Sequence, residues 1–292
     1  MPSSKHNVQD AHIYDGMVMP GPMEAKSIDL LKTTVLDDKD VVVNTYPKAG
    51  TTVMQEIAYL IHSDGDFKKA DELSLHDRCL FMELTDPFKG TSIVDHLKVD
   101  PPRLWKSHLP AGVFEETLKK SNAKFVVVVR NPKDVLVSNY FFYKANSVLG
   151  NYTGTWDEFF QLFLEDQLVY GNYFDQVLSW WDVRHNPNVA IIMFEDIVGK
   201  PIEVIRQVAA HMGKAISDEL VHKIAERVKF DNMKKLSSVG HSNSPNYRND
   251  ISPFMRKGKV GDWQNYFSEE QSKIVEDMYE KRCVGKGLVL QF

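Results

Sequence analysis

Between the apolar run Val41-Val42-Val43 and the segment Val53-Met54-Gln55-Glu56-Ile57-Ala58-Tyr59-Leu60-Ile61 stands Thr45-Tyr46-Pro47-Lys48-Ala49-Gly50-Thr51-Thr52. A lysine, a glycine and two threonines at a strand-to-helix turn suit an anion. The open N–H groups and the positive end of the helix dipole favour phosphate or sulfate, Thr51 and Thr52 add hydroxyl donors, and Lys48 adds a point charge. The order differs from that of an ATP-magnesium loop, where the lysine follows the last glycine and precedes Ser or Thr. Here the lysine comes first, which suits a nucleotide whose reactive group lies beyond its 5′-phosphate. Further groups recur at comparable places. Lys106 and His108 follow Arg103-Leu104-Trp105, Arg130 follows Phe125-Val126-Val127-Val128-Val129, Ser138 lies downstream of Arg130, and Arg256-Lys257-Gly258 precedes Gly261-Asp262-Trp263. Imidazole can take a proton near neutrality, and the cations can balance charge on a group in transfer. An anchored anion, a base and several cations equip a site for group transfer to a hydroxyl.

Regular elements must position these residues. Apolar runs predict strands at 41–45, 103–107, 124–129 and 189–194. Helical periodicity predicts helices at 51–63, 111–120, 133–145, 156–165, 171–184, 201–212, 217–228 and 268–281. The alternation implies an α/β fold, a single domain whose central parallel sheet is flanked by helices and carries the P-loop-like turn. Ligands of such sheets bind beyond the carboxyl ends of the strands, which would gather Lys48, Lys106, His108 and Arg130 in one crevice. Segments 66–100 and 232–260 show no clear period and read as functional loops, the second as a lid over the nucleotide. Residues 1–24 are expected to be a flexible segment and residues 25–292 the folded domain.

On these motifs the chain resembles the cytosolic sulfotransferases, which use 3′-phosphoadenosine 5′-phosphosulfate (PAPS) and release 3′-phosphoadenosine 5′-phosphate (PAP). Tyr46-Pro47-Lys48-Ala49-Gly50-Thr51-Thr52 is similar to the family's 5′-phosphosulfate loop. Lys106-Ser107-His108-Leu109-Pro110 is similar to its K-T-H-L-P segment, Arg130 through Ser138 to its 3′-phosphate segment, and Arg256-Lys257-Gly258 with Gly261-Asp262-Trp263 to its R-K-G-x-x-G-D-W signature. The resemblance implies a catalytic set of His108 as base with Lys48 and Lys106. It implies a PAPS site of Lys48, Ala49, Gly50, Thr51, Thr52, Val53, Arg130, Ser138, Phe194, Phe230, Arg256, Lys257 and Gly258, with no metal. Phe81, Lys106, His108 and Phe142 would meet the acceptor, with Tyr140 and Leu149 nearby and Lys144 bordering the pocket in solvent.

Several residues depart from that pattern. Ala49 stands for a serine, Phe194 for a tyrosine, Val228 for a threonine or serine, and Val53 for a tryptophan whose stacking is worth roughly 1–3 kcal/mol. The segment Gln264–Lys273 departs from the K-x-x-x-T-V-x-x-x-E dimerisation element, which implies a monomer or a dimer through another surface. An apolar pocket with one base implies a small hydroxylated acceptor, a phenol, alcohol or sterol. A non-catalytic PAPS/PAP-binding relative and a P-loop kinase-type transferase are the alternatives. Composition agrees with the main reading. In 292 residues, 43% hydrophobic, there is material for a large core, and a net charge of −5 argues against general nucleic-acid binding. Two cysteines, Cys79 and Cys283, make no disulfide framework. With neither a leader-like segment nor a membrane-length apolar run in the sequence, the expected location is the cytoplasm.

Overall fold

A run of three valines can be buried only if both faces of its strand are covered, because successive side chains point to opposite sides. In the computed structural model, which describes residues 8–86, 89–239 and 246–292, that run lies at the middle of a parallel sheet. The strands are β1 (His12–Tyr14), β2 (Met17–Met19), β3 (Val41–Thr45), β4 (Leu80–Phe81), β5 (Leu104–Ser107), β6 (Lys124–Val129) and β7 (Val189–Met193). The helices are α1 (Ala25–Thr33), α2 (Thr51–His62), α3 (Phe67–Glu72), α4 (Leu75–Arg78), α5 (Ile93–His96), α6 (Glu115–Lys120) and α7 (Pro132–Ala145). They continue as α8 (Trp156–Leu164), α9 (Tyr173–Asp182), α10 (Phe194–Gly199), α11 (Pro201–His211), α12 (Asp218–Arg227), α13 (Phe230–Met233) and α14 (Glu269–Cys283).

Five strands pair in the order β4-β5-β3-β6-β7, all parallel. Alternate residues feed two cores. Val42, Trp105, Phe125, Val127 and Val129 pack with the face covered by α1, α7 and α9. Val41, Val43, Leu104, Val126 and Val128 pack with the face covered by α2, α11 and α12. The predicted strands are present, shortened at Arg103 and Phe194. The predicted helices are present with shifted ends, and the one expected from residue 111 opens with a 3₁₀ turn at Ala111–Phe114.

Two expectations are corrected. Residues 8–24 are structured. β1 and β2 form a hairpin around Asp15-Gly16, both at positive φ as a type I′ turn requires, and Met19 is fully buried. The strands are too short to show a period, so Asp-Gly was the one legible signal. Segment 66–100 contains α3, α4, α5 and edge strand β4, elements between two and six residues long that leave no periodic trace. Of the segment read as a lid, residues 240–245 lie outside the described residues.

One ion network joins the layer that carries the anion loop. Glu56 of α2 is fully buried and meets Arg78 of α4 at 2.8 Å and Arg227 of α12 at 3.0 Å. Removing the carboxylate would take from fully buried Arg78 its ion partner, while Arg227 keeps Asp71 at 2.7 Å. Glu56→Ala is expected to lower stability by about 3–5 kcal/mol, the cost of breaking a buried pair from one side. Urea denaturation that finds a loss under ~1 kcal/mol would show that these arginines relax into solvent.

Candidate active site

The register Asn44↔Ser107 and Thr45↔Val128 ends β3, β5 and β6 at one level. Beyond that level lies a cavity of about 380 Å³. Its wall includes Lys48, Gly50, Thr51, Thr52 and Val53 from the first turn, then Lys106 and His108. Arg130 and Ser138 follow, with Phe142, Phe194 and Phe230, and Arg256, Lys257 and Gly258 complete it. The parallel sheet thus brings together residues separated by more than half the chain.

The loop after β3 is held open. Lys48 has φ +69° and Gly50 +117°. For the lysine this left-handed geometry costs about 1–2 kcal/mol, and the fold enforces it. The Asn139 amide donates to the Pro47 carbonyl at 3.3 Å, and the Tyr46 hydroxyl donates to the Gly171 carbonyl at 2.8 Å. Helix α2 then begins after Gly50 without a side-chain cap, so its first N–H groups have no intrahelical acceptor, and Thr51, Thr52 and Val53 line the cavity. Ala49 does not share in this. Its methyl group is fully buried in the core, and its N–H donates to the Tyr46 carbonyl at 3.1 Å. The expectation that the Ala49 backbone serves the anion is therefore corrected.

His108 is fixed from two directions. Its Nδ1 lies 2.7 Å from the Thr45 carbonyl. A carbonyl only accepts, so Nδ1 carries the hydrogen and Nε2 keeps the lone pair. The backbone N–H of His108 donates to Glu83 Oε1 at 2.7 Å. The rings of Phe81 and Tyr170 stand edge-on to the imidazole at 5.4 and 5.1 Å. Burial, then the charges of Lys106 and Lys48, hold His108 well below the ordinary histidine range, so it is neutral. Glu83, fully buried, carried no signal in the sequence. It lies near Lys106, and burial pushes the Glu83 carboxyl up and the Lys106 ammonium down.

The cations rest on rings. The Phe81 ring, paired with Lys106 in the sheet register, lies 3.8 Å under its Nζ. Lys48 Nζ sits between Phe142 and Phe254, at 4.2 and 4.3 Å. Arg130 covers Phe194 at 4.1 Å and donates to the carbonyls of Lys48 and Lys259. Arg256 packs on Phe141 and pairs with Asp262 at 2.6 Å, and Lys257 pairs with the other Asp262 oxygen at 2.6 Å. Asp134 of α7 accepts from the N–H groups of Gly261 and Trp263 at 2.8 and 3.0 Å, tying this basic segment to the sheet end. Asp134, Asp262 and Phe254 were not recognised from sequence as parts of the site, although the first two lie inside the motifs quoted above. Phe81 touches Lys106 and His108 without lining the cavity. Tyr140 and Leu149 lie in the core: Tyr140 packs among Phe141, Tyr152, Trp156 and Phe159. Lys144 is half-buried against the Tyr140 ring and not in open solvent.

The model of the Sulfotransferase domain matches residues 38–287. The chain belongs to the cytosolic sulfotransferase family. It is 34% identical over 272 residues to sulfotransferase 1C2 of Oryctolagus cuniculus, covering 91% of this chain and 92% of that one. The fold is similar to that of a retinol dehydratase solved with retinol and PAP, at 25% identity and a TM-score of 0.83, covering 95% of this chain and 89% of that one. It is also similar to mouse sulfotransferase SULT7A1 solved with PAP, at 26% identity and a TM-score of 0.75, covering 93% of each. The enzyme is a PAPS-dependent sulfotransferase.

The residues present fit such a nucleotide. Buried Arg130 keeps an Nε without a partner, helix α2 opens without a side-chain cap, and the charges of Lys106, Arg130 and Arg256 act on Lys48 at the cavity. At Gly258, φ +60°, a Cβ would fall 2.0 Å from the Phe230 ring, so only glycine lets this basic strand lie against that ring. Among the described residues no group of His, Cys, Asp and Glu is arranged to hold a metal ion, and no helix is long and apolar enough to cross a membrane.

Burial, with Lys106, Arg130 and Arg256 nearby, lowers Lys48 from 10.5 to about 7. Between pH 7 and 10.5 the unfolded chain holds a proton that the folded one does not, so this group makes ligand-free stability rise with pH across that window. An anion against Lys48 restores the proton, so above pH 7 binding takes up protons and PAP affinity falls as pH rises. Calorimetry of PAP binding at pH 8 in buffers of different ionisation enthalpy should register net proton uptake, and its absence in Lys48→Met should assign it.

Proposed function

We propose that the enzyme moves the sulfuryl group of PAPS to the hydroxyl of a small hydrophobic acceptor, with His108 as base. The observation that carries the reading is the locked imidazole. Nδ1 is committed to the Thr45 carbonyl, the ring is neutral, and the free lone pair of Nε2 belongs to a residue on the cavity wall. A neutral, oriented imidazole is ready to accept the proton of an acceptor hydroxyl. Glu83 positions it through the main chain. Lys48 and Lys106 balance negative charge at the mouth of the loop. Arg130, Ser138, Arg256, Lys257 and the Gly258 backbone hold the 3′-phosphate, for which the arginine fork is suited. Thr51, Thr52 and the Gly50 turn hold the 5′ side, and Val53, Phe194 and Phe230 flank the base. When bound, PAPS supplies the activated sulfuryl group. The reaction is read as metal-free and the protein as cytoplasmic.

Phe81 and Tyr170 pack on His108, Phe81 also lies under Lys106, and Phe142 and Phe254 hold Lys48 between them, so the surroundings of the base and the two lysines are aromatic. The neighbour solved with retinol holds a hydrophobic alcohol in the same fold. Both support a neutral phenol, alcohol or sterol over a peptide or polyanionic sugar. In the segment expected to have lost the family dimer element, Ser268 caps α14 and Glu269 is exposed on its first turn. An unpaired charge at the centre of a small two-fold contact is costly, which supports a monomer or a dimer through another surface, with neither nucleic acid nor membrane as partner.

His108→Ala is expected to lower turnover by ~10²-fold or more with PAP affinity nearly unchanged, whereas Arg130→Ala weakens PAP strongly. Single-turnover kinetics beside PAP titration separates the two, and near-normal turnover in His108→Ala would reject the assigned base. In an acceptor panel, neutral phenols and hydrophobic alcohols should react ahead of peptides and acidic saccharides. Preference for a sulfated or carboxylated saccharide would overturn the acceptor class.

A further inference from the structure

The cavity has two unlike ends. Lys48, Arg130, Arg256 and Lys257 supply one. The other is walled by Val53 of α2, Phe194 and Ile197 of α10, Ala225 of α12, Val228 and Phe230. Five of these six pack into a single apolar cluster, and the sixth, Phe230, lies against the bare backbone of Gly258. A nucleoside 3′,5′-bisphosphate must put its phosphates at the cations, which leaves its base among hydrocarbon side chains. Few polar side chains border that end. Lys229 is paired with Glu226 in solvent. Ser238 keeps a buried hydroxyl without a partner, while its carbonyl accepts from the Leu75 N–H at 3.0 Å.

Such a wall grips a base by its faces, which every base presents. The Ser238 hydroxyl can turn to donate or to accept, so it sets no fixed penalty for the wrong edge. A site that hydrogen-bonds its ligand can reject an analogue by ~10⁴-fold or more, whereas an apolar site separates near-isosteres only weakly.

We propose that this enzyme recognises its nucleotide by the two phosphates and by apolar contact, and is indifferent to the hydrogen-bonding edge of the purine, so that it accepts 3′,5′-bisphosphates of purine nucleosides other than adenosine. The inference rests on the assignment of this cavity to PAPS. The experiment is calorimetric titration of the ligand-free full chain with PAP and with inosine 3′,5′-bisphosphate. Inosine keeps the shape of adenosine and exchanges the 6-amino donor for a carbonyl acceptor. Dissociation constants within tenfold of each other are expected. Inosine bisphosphate binding more than tenfold weaker would overturn the proposal, and recovery of parity in Ser238→Ala would then identify the buried hydroxyl as the reader. Binding of neither ligand would reject the cavity assignment itself, and the proposal with it. As a measure of phosphate dependence, Arg130→Ala should weaken both ligands by the same factor. A loss confined to PAP would also count against base indifference.

Discussion

Mutual repulsion among Lys48, Lys106, Arg130 and Arg256 is the constraint to which the surroundings of the cavity answer. Like charges this close oppose folding, and after burial they are the second cause of the fall of Lys48 to about 7. The chain offsets the repulsion without filling the cleft. Glu83 lies beneath Lys106, Asp134 faces Arg130 at 3.6 Å, and Asp262 takes both Arg256 and Lys257. Each of the four cations also lies on an aromatic face, Phe142 and Phe254 for Lys48, Phe81 for Lys106, Phe194 for Arg130 and Phe141 for Arg256. Ring faces attract cations while leaving their outward side open. The carboxylates serve a second purpose, since Asp134 clamps the Gly261–Trp263 backbone and Asp262 restrains the two basic residues before it. Charge compensation and loop positioning are here the same contacts.

Much of this was legible in the sequence because it sits in continuous runs. Val41–Val43 and Phe125–Val129 announce buried strands, and Lys48 through Thr52 announces an anion turn at the end of the first. Groups that act through tertiary contact left no such trace. Glu83 is one acidic residue in a segment without period, and only the pairing of β4 with β5 brings it to His108. Phe254 gains its place from the way residues 246–260 return across α7, where Arg248 N–H meets the Ala145 carbonyl at 2.7 Å. Tyr140 illustrates the opposite error. It neighbours a pocket residue in the chain, but a helix turns adjacent positions to different sides, so Phe142 reaches the cavity while Tyr140 enters the core. Ala49 failed for a related reason, since a tight turn spends its own N–H inside the turn.

The hairpin at residues 8–24 touches the site indirectly. Tyr170, whose ring stands against His108, is held by an N–H bond to the Val18 carbonyl at 3.0 Å and sits at φ +67°. The segment least legible from sequence thus supports a wall of the imidazole pocket.

Thr45 gives the site a further property. Its carbonyl occupies Nδ1 of His108, and its hydroxyl lies 2.6 Å from that of Thr51 at the start of the anion turn. For covalent chemistry the imidazole is therefore a one-sided target. An electrophile that reached the ring would find only Nε2 open to alkylation. A label placed there would stand beside the anion turn, joined to it through one threonine.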